Sequence, residues 1–86
     1  MCHNVSVTIT SIRGECADGH KVGESWLIND GKTPSGICAG AYTSIAPYIT
    51  TLRYGGELPW TADKDVVLLA CPDPDNQVIF EVRRLR

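Results

Sequence analysis

Cys16, His20, Cys38 and Cys71 are the residues of this sequence whose types could do chemistry together. Thiolates are nucleophiles and soft metal ligands, and a neutral imidazole is a base or a nitrogen ligand. Three sulfurs and one nitrogen make up a donor set that a tetrahedral zinc ion takes. Only Cys16 and His20 form a short-range pair, within Cys-Ala-Asp-Gly-His, and no Cys-x-x-Cys is present. Zinc held by all four residues is the metal reading. An iron-sulfur cluster fits less well, because it typically wants four cysteines at recognisable spacings.

The same atoms support a metal-free reading. Cys38 stands where a helix should begin, so its thiolate would face the positive end of the helix dipole, which favours a nucleophile. If His20 comes within hydrogen-bond reach it would act as base or orienting partner, which makes Cys38 and His20 the candidate catalytic residues. A bland reading stands beside both. Cysteine is among the most buried residue types, so Cys71 at the end of an apolar run fits a small core side chain. Asp18-Gly19-His20 is good turn chemistry with or without a ligand. Cys2 and His3 would hold copper or nickel only with a free amino terminus and Met1 retained. A length of extended chain separates Cys2 from Cys16, so Cys2 is expected to lie outside the site and to be dispensable.

The elements that must position these residues follow from hydrophobic period. Val5, Val7 and Ile9 alternate with Ser6, Thr8 and Thr10, which predicts a strand. Val22, Trp26 and Ile28 alternate in the next run, and the Gly-rich segment between the two predicts an antiparallel hairpin with Cys16 and His20 at its tip. Ala41, Ile45, Ile49 and Leu52 recur at helical spacing before Gly55-Gly56, which predicts the one helix. Pro47 lacks an amide donor, so this helix is expected to bend at Ala46 or to divide. Val66 to Cys71 is apolar on both faces and reads as a central strand. After the Pro-Asp-Pro-Asp-Asn turn, Val78, Phe80 and Val82 alternate against Glu81 and Arg83 in a last strand. The predicted fold is a single α+β domain over residues 1–86, in the order β-β-α-β-β, with a kinked or divided helix on a mostly antiparallel sheet.

With 86 residues and 43% apolar content there is one core to build, and a chain this short buries only ~60–65% of the surface its unfolded form exposes. Binding of a metal, or dimerisation, would add materially to its stability. The net charge is −2, and the basic residues are scattered apart from Arg83, Arg84 and Arg86, which argues against nucleic acid as a partner. No run approaches ~18 apolar residues and the amino terminus lacks signal-peptide regions, so a soluble, cytoplasmic protein with no membrane partner is expected. In a reducing cytoplasm the cysteines read as thiols or ligands.

Several separated motifs in one order carry a resemblance that spans almost the whole chain. Cys-Ala-Asp-Gly-His-Lys-Val-Gly-Glu at 16–24, Gly-Lys-Thr-Pro-Ser-Gly-Ile-Cys ending at Cys38, Gly-Gly-Glu-Leu-Pro-Trp ending at Trp60 and Ala-Cys-Pro-Asp-Pro around Cys71 resemble a family of small prokaryotic proteins with no established reaction. The resemblance implies that Cys16, His20, Cys38 and Cys71 are the site positions, and it leaves Cys2 and His3 aside. Glu24, Tyr42 and Gln77 depart from the usual pattern without touching those positions.

Two function classes follow. In the first, the four-residue constellation bears a metal or a working thiol and supports chemistry on a small molecule, in a pocket between helix and sheet walled by Tyr42, Tyr48 and Trp60. In the second, the domain is a non-catalytic interaction module, a homodimer or an accessory subunit, that uses an exposed sheet edge or the Arg-rich last strand.

Overall fold

The computed structural model of the chain describes residues 2–16 and 18–86. Met1, on which the terminal copper or nickel site depends, lies outside them, as does Ala17. Four strands, β1 (Asn4–Ile12), β2 (Ser25–Ile28), β3 (Val66–Ala70) and β4 (Val78–Leu85), and one helix, α1 (Ala39–Arg53), follow in the order β-β-α-β-β. The strands form one antiparallel sheet in the order β2-β1-β4-β3. Helix α1 covers one face. Ala41, Ile45, Ile49 and Leu52 are its buried residues, packed on Val5, Val7 and Ile9 of β1, Val67 of β3 and Val78, Phe80 and Val82 of β4. The helical and strand periods therefore select one shared core, and burial of these apolar side chains, at roughly 25 cal/mol per Å² removed from water, is what holds the two layers together.

One alternative is settled and two details differ from expectation, each for a local reason. Helix α1 runs undivided through Pro47. Pro47 removes one intrahelical donor, but the helix is fixed on the sheet by buried residues on both sides of it, Ile45 and Ile49. Strand β2 is short, and Val22 is exposed in the turn before it. The Glu24 amide donates to the Lys21 carbonyl at 3.2 Å, with Gly23 at φ +95°, so a tight turn occupies these positions before the strand can start. Strand β3 is an edge, not the centre of the sheet; the central strands are β1 and β4. Its two apolar faces do not both meet the core, since Leu68 is 62% exposed on the face away from α1. The Arg-rich last strand is consequently interior to the sheet, and Arg84 is buried.

A register shift between Ile9 and Ser11 breaks the alternation of β1. Beyond it Ile12 pairs with Val78 and packs against the core, so the shift re-aims the chain after β1 toward the end of the sheet where β3 stops and α1 starts. Among the described residues no helix is long and apolar enough to cross a membrane.

Candidate functional site

Cys16, His20, Cys38 and Cys71 all line one cavity of about 110 Å³ at that end of the sheet. Each arrives differently: Cys16 and His20 on the loop after β1, Cys38 as the residue capping α1, and Cys71 just past β3. Val78 and Phe80 of β4 give the cavity its apolar side, and Gly40 and Ala41 of the first helical turn close it opposite.

The Cys16 and Cys71 segments are tied together by Asn76. The Asn76 side-chain oxygen accepts from the Glu15 amide at 3.1 Å, and the Asn76 amide donates to the Asp73 carboxylate at 3.2 Å. The Asp73 carboxylate also accepts from the Asp75 amide at 2.9 Å, and these amides, Asp75 first, hold its carboxyl below the ordinary range. Arg13 donates to the Pro74 carbonyl from the other side. Gly14 makes the close approach possible: its φ is +79°, and a Cβ there would collide with the Asn76 side-chain oxygen. The Cys71 sulfur accepts from the Val78 amide at 3.2 Å and lies 3.8 Å from the Asn76 carbonyl, to which the thiol can donate.

Cys38 is held through its backbone. Its amide donates to His20 Nε2 at 3.1 Å, while His20 Nδ1 lies 3.2 Å from Glu24 Oε1. An amide can only donate and a carboxylate can only accept, so the two contacts assign the neutral imidazole with its proton on Nδ1. His20 is 8% exposed and meets the Trp26 ring edge-on at 5.4 Å. The Glu24 carboxyl is held below the ordinary range, first by the Lys21 amide and then by His20. His20 thus reaches Cys38 at its amide, and the imidazole lone pair that a base or ligand would use is engaged by that amide. The Cys38 thiol makes no capping hydrogen bond, so it is the freer sulfur beside the helix amino terminus.

Among the described residues no group of three or more His, Cys, Asp or Glu side chains stands close enough to share a metal ion. The four residues share a cavity without being drawn to coordination distance. Tyr42, Tyr48 and Trp60 do not wall it. Tyr42 lines a small surface hollow near the other end of α1, and Tyr48 meets an exposed Trp60 edge-on at 6.2 Å. Cys2 is exposed and lies with His3, Leu85 and Arg86, away from the cavity. Glu24, Asp73 and Asn76 were not singled out by the sequence as parts of the site; the one available signal for Glu24 is an acid four residues after His20 in a turn.

No family model, curated protein or solved structure matches the chain, so the site is read from its own geometry.

Proposed function

We propose that the protein is a thiol protein, in which Cys16, Cys38 and Cys71 present reactive sulfur to a small molecule and His20 positions Cys38. One observation carries the reading: three cysteines from separate parts of the chain open onto one cavity, and all three are only half-buried. Core cysteines are among the most completely buried residues. A cavity of about 110 Å³ is well below the ~300–1,000 Å³ of drug-sized ligand pockets, so the reacting part of the molecule is a few atoms. Helix α1 adds the positive end of its dipole beside Cys38, where developing negative charge on sulfur is favoured.

Zinc is the second reading, favoured by a specific contact. His20 already directs its Nδ1 proton to a carboxylate, as zinc-bound histidines do, and the four residues supply three sulfurs and a nitrogen. The imidazole would have to exchange the Cys38 amide for the ion. Metal analysis of protein purified without chelator or affinity tag, with native thiol titration of a Cys2→Ser chain, separates the readings. The thiol reading expects at least one thiol titratable in the folded chain and all three once denaturant is added without chelator, no stoichiometric zinc and a Tm indifferent to chelator. One zinc per chain, with thiols masked until chelator unfolds the protein, would establish the second reading in its place.

A further inference from the structure

The thiol cavity has an outer side. Cys16 and His20 line the inner cavity and also a larger open cleft of about 450 Å³, bounded by Gly14, Glu15, Gly19 and Lys21. Cys38 and Cys71 line only the inner space. The two spaces differ in chemistry. The inner one is backed by Val78 and Phe80, whereas the cleft offers glycine backbone, one carboxylate and one ammonium beside the apolar side chains of Ile12 and Val22, in a volume that suits a whole small molecule.

We propose that this cleft is a binding site for a low-molecular-weight disulfide carrying ammonium and carboxylate groups, and that Cys16 is the thiol that exchanges with it. Lys21 would face the carboxylate of such a molecule and Glu15 its ammonium. The inference rests on the thiol reading of the site and adds the substrate class and the order of reaction. Cys16 reacts first because it is the one cysteine of the three that lines the cleft. In the step, the Cys16 thiolate attacks one sulfur of the disulfide and a new S–S bond forms. The original S–S bond breaks, and its electron pair leaves on the second sulfur as a thiolate, which takes a proton from water. One disulfide is exchanged for another, so no outside oxidant is needed. The half-molecule left on Cys16 occupies the cleft, and Cys38 and Cys71 stay behind it.

The test uses the reduced full chain carrying Cys2→Ser, with cystine as the charged probe and bis(2-hydroxyethyl) disulfide as the neutral one. Adducts are located by peptide mass spectrometry at early times, and iodoacetamide serves as a general thiol probe. The first adduct is expected on Cys16, with the cystine-to-neutral rate ratio about fivefold higher in the folded chain than in the urea-unfolded chain, a comparison that cancels the difference in leaving-group acidity; about fivefold is the upper end of what one exposed ion pair contributes. Lys21→Gln should lower that excess preference, and Lys21→Gln combined with Glu15→Gln should remove it. First modification of Cys38 or Cys71, or a cystine preference no greater in the folded chain than in the urea-unfolded one, would overturn the cleft assignment while iodoacetamide reactivity keeps the thiol reading. Failure of all three cysteines to react in the folded protein with either disulfide or with iodoacetamide would overturn both.

Discussion

The two ends of α1 are held by opposite means. At its carboxyl end, Arg84 is 4% exposed and donates from Nη1 to the Leu52 carbonyl at 3.2 Å and the Gly56 carbonyl at 3.0 Å. Its Nη2 donates to the Lys64 carbonyl at 2.9 Å, and its Nε pairs with Asp65 at 2.9 Å. Arg86 pairs with the same carboxylate. A cation at a helix carboxyl end also meets the favourable pole of the dipole. At the amino end there is no side-chain cap, and one amide-to-imidazole contact at 3.1 Å links Cys38 to His20 beside a cavity. Charge and hydrogen bonding fix the carboxyl end, and the cysteine-lined end is left lightly tied. A small domain can carry an imperfectly packed corner when its rigidity is anchored elsewhere.

Breaking the strong end should produce the largest effect. Arg84→Met leaves the Gly56 and Lys64 carbonyls without this donor and the Leu52 carbonyl with only the Gly55 amide at 3.3 Å, and loss of a buried charge partner of this kind costs about 3–5 kcal/mol. Against a total of ~5–15 kcal/mol for a small domain, urea denaturation should show a chain near the edge of folding. A loss under about 1 kcal/mol would remove the asymmetry between the two ends.

Gly14→Ala attacks the thiol end. An alanine at a positive φ costs about 1–2 kcal/mol, and the collision with Asn76 adds to it. The expected loss is about 2 kcal/mol in urea, accompanied by a changed alkylation rate at Cys16 and an unchanged one at Cys2. An unaltered Cys16 rate would mean that the Asn76 tie does not position that thiol.

Acid should also weaken the strong end. The hydrogen bonds from Arg86 and then Arg84 lower the Asp65 carboxyl from an ordinary 3.8 to about 2. A carboxyl depressed in the folded state favours folding when ionised. Its contribution is complete above pH 3.8 and is lost as pH falls toward 2. The fall in Tm across that window should be shallower in Asp65→Asn than in the parent chain. Identical slopes would show that the Arg84–Asp65–Arg86 cluster does not govern acid stability.

The smallest effect should be a gain. Gly40 sits in the first turn of α1, where an added Cβ would meet Cys38 Sγ at 3.8 Å and Pro72 at 4.0 Å, ordinary contact distances. Gly40→Ala should stabilise by up to about 1 kcal/mol from helix propensity alone, read as a rise in urea midpoint. A destabilised variant would show that the first turn has less room than the open cavity suggests.

Much of the architecture is legible in the residues. Val5, Val7 and Ile9 on one face of β1, and Ala41, Ile45, Ile49 and Leu52 on one face of α1, are core positions because period alone fixes which side is apolar. The position of β3 is not legible in this way. A run apolar on both faces suits a central strand or an edge with an uncovered face, and only pairing decides between them. The four site residues stand out by chemical type, but their convergence depends on contacts far apart in sequence. Glu15 meets Asn76 across the loop ends, and Cys38 meets His20 through a backbone amide, which leaves no trace in side-chain patterns. Tyr42, Tyr48 and Trp60 looked like pocket walls for being aromatic, yet aromatic residues in a small domain also cover surface, as Trp60 does here.

The claim on which the functional reading depends is that Cys16, Cys38 and Cys71 share one small space. It is tested most directly by treating the folded Cys2→Ser chain with iodoacetamide and following the number of adducts per molecule over time by intact mass. A cavity of about 110 Å³ has room for one such group, so a singly modified species should accumulate and resist further reaction until denaturant is added. Steady progression through two and three adducts in the folded protein, at rates equal to three independent thiols, would contradict the shared cavity.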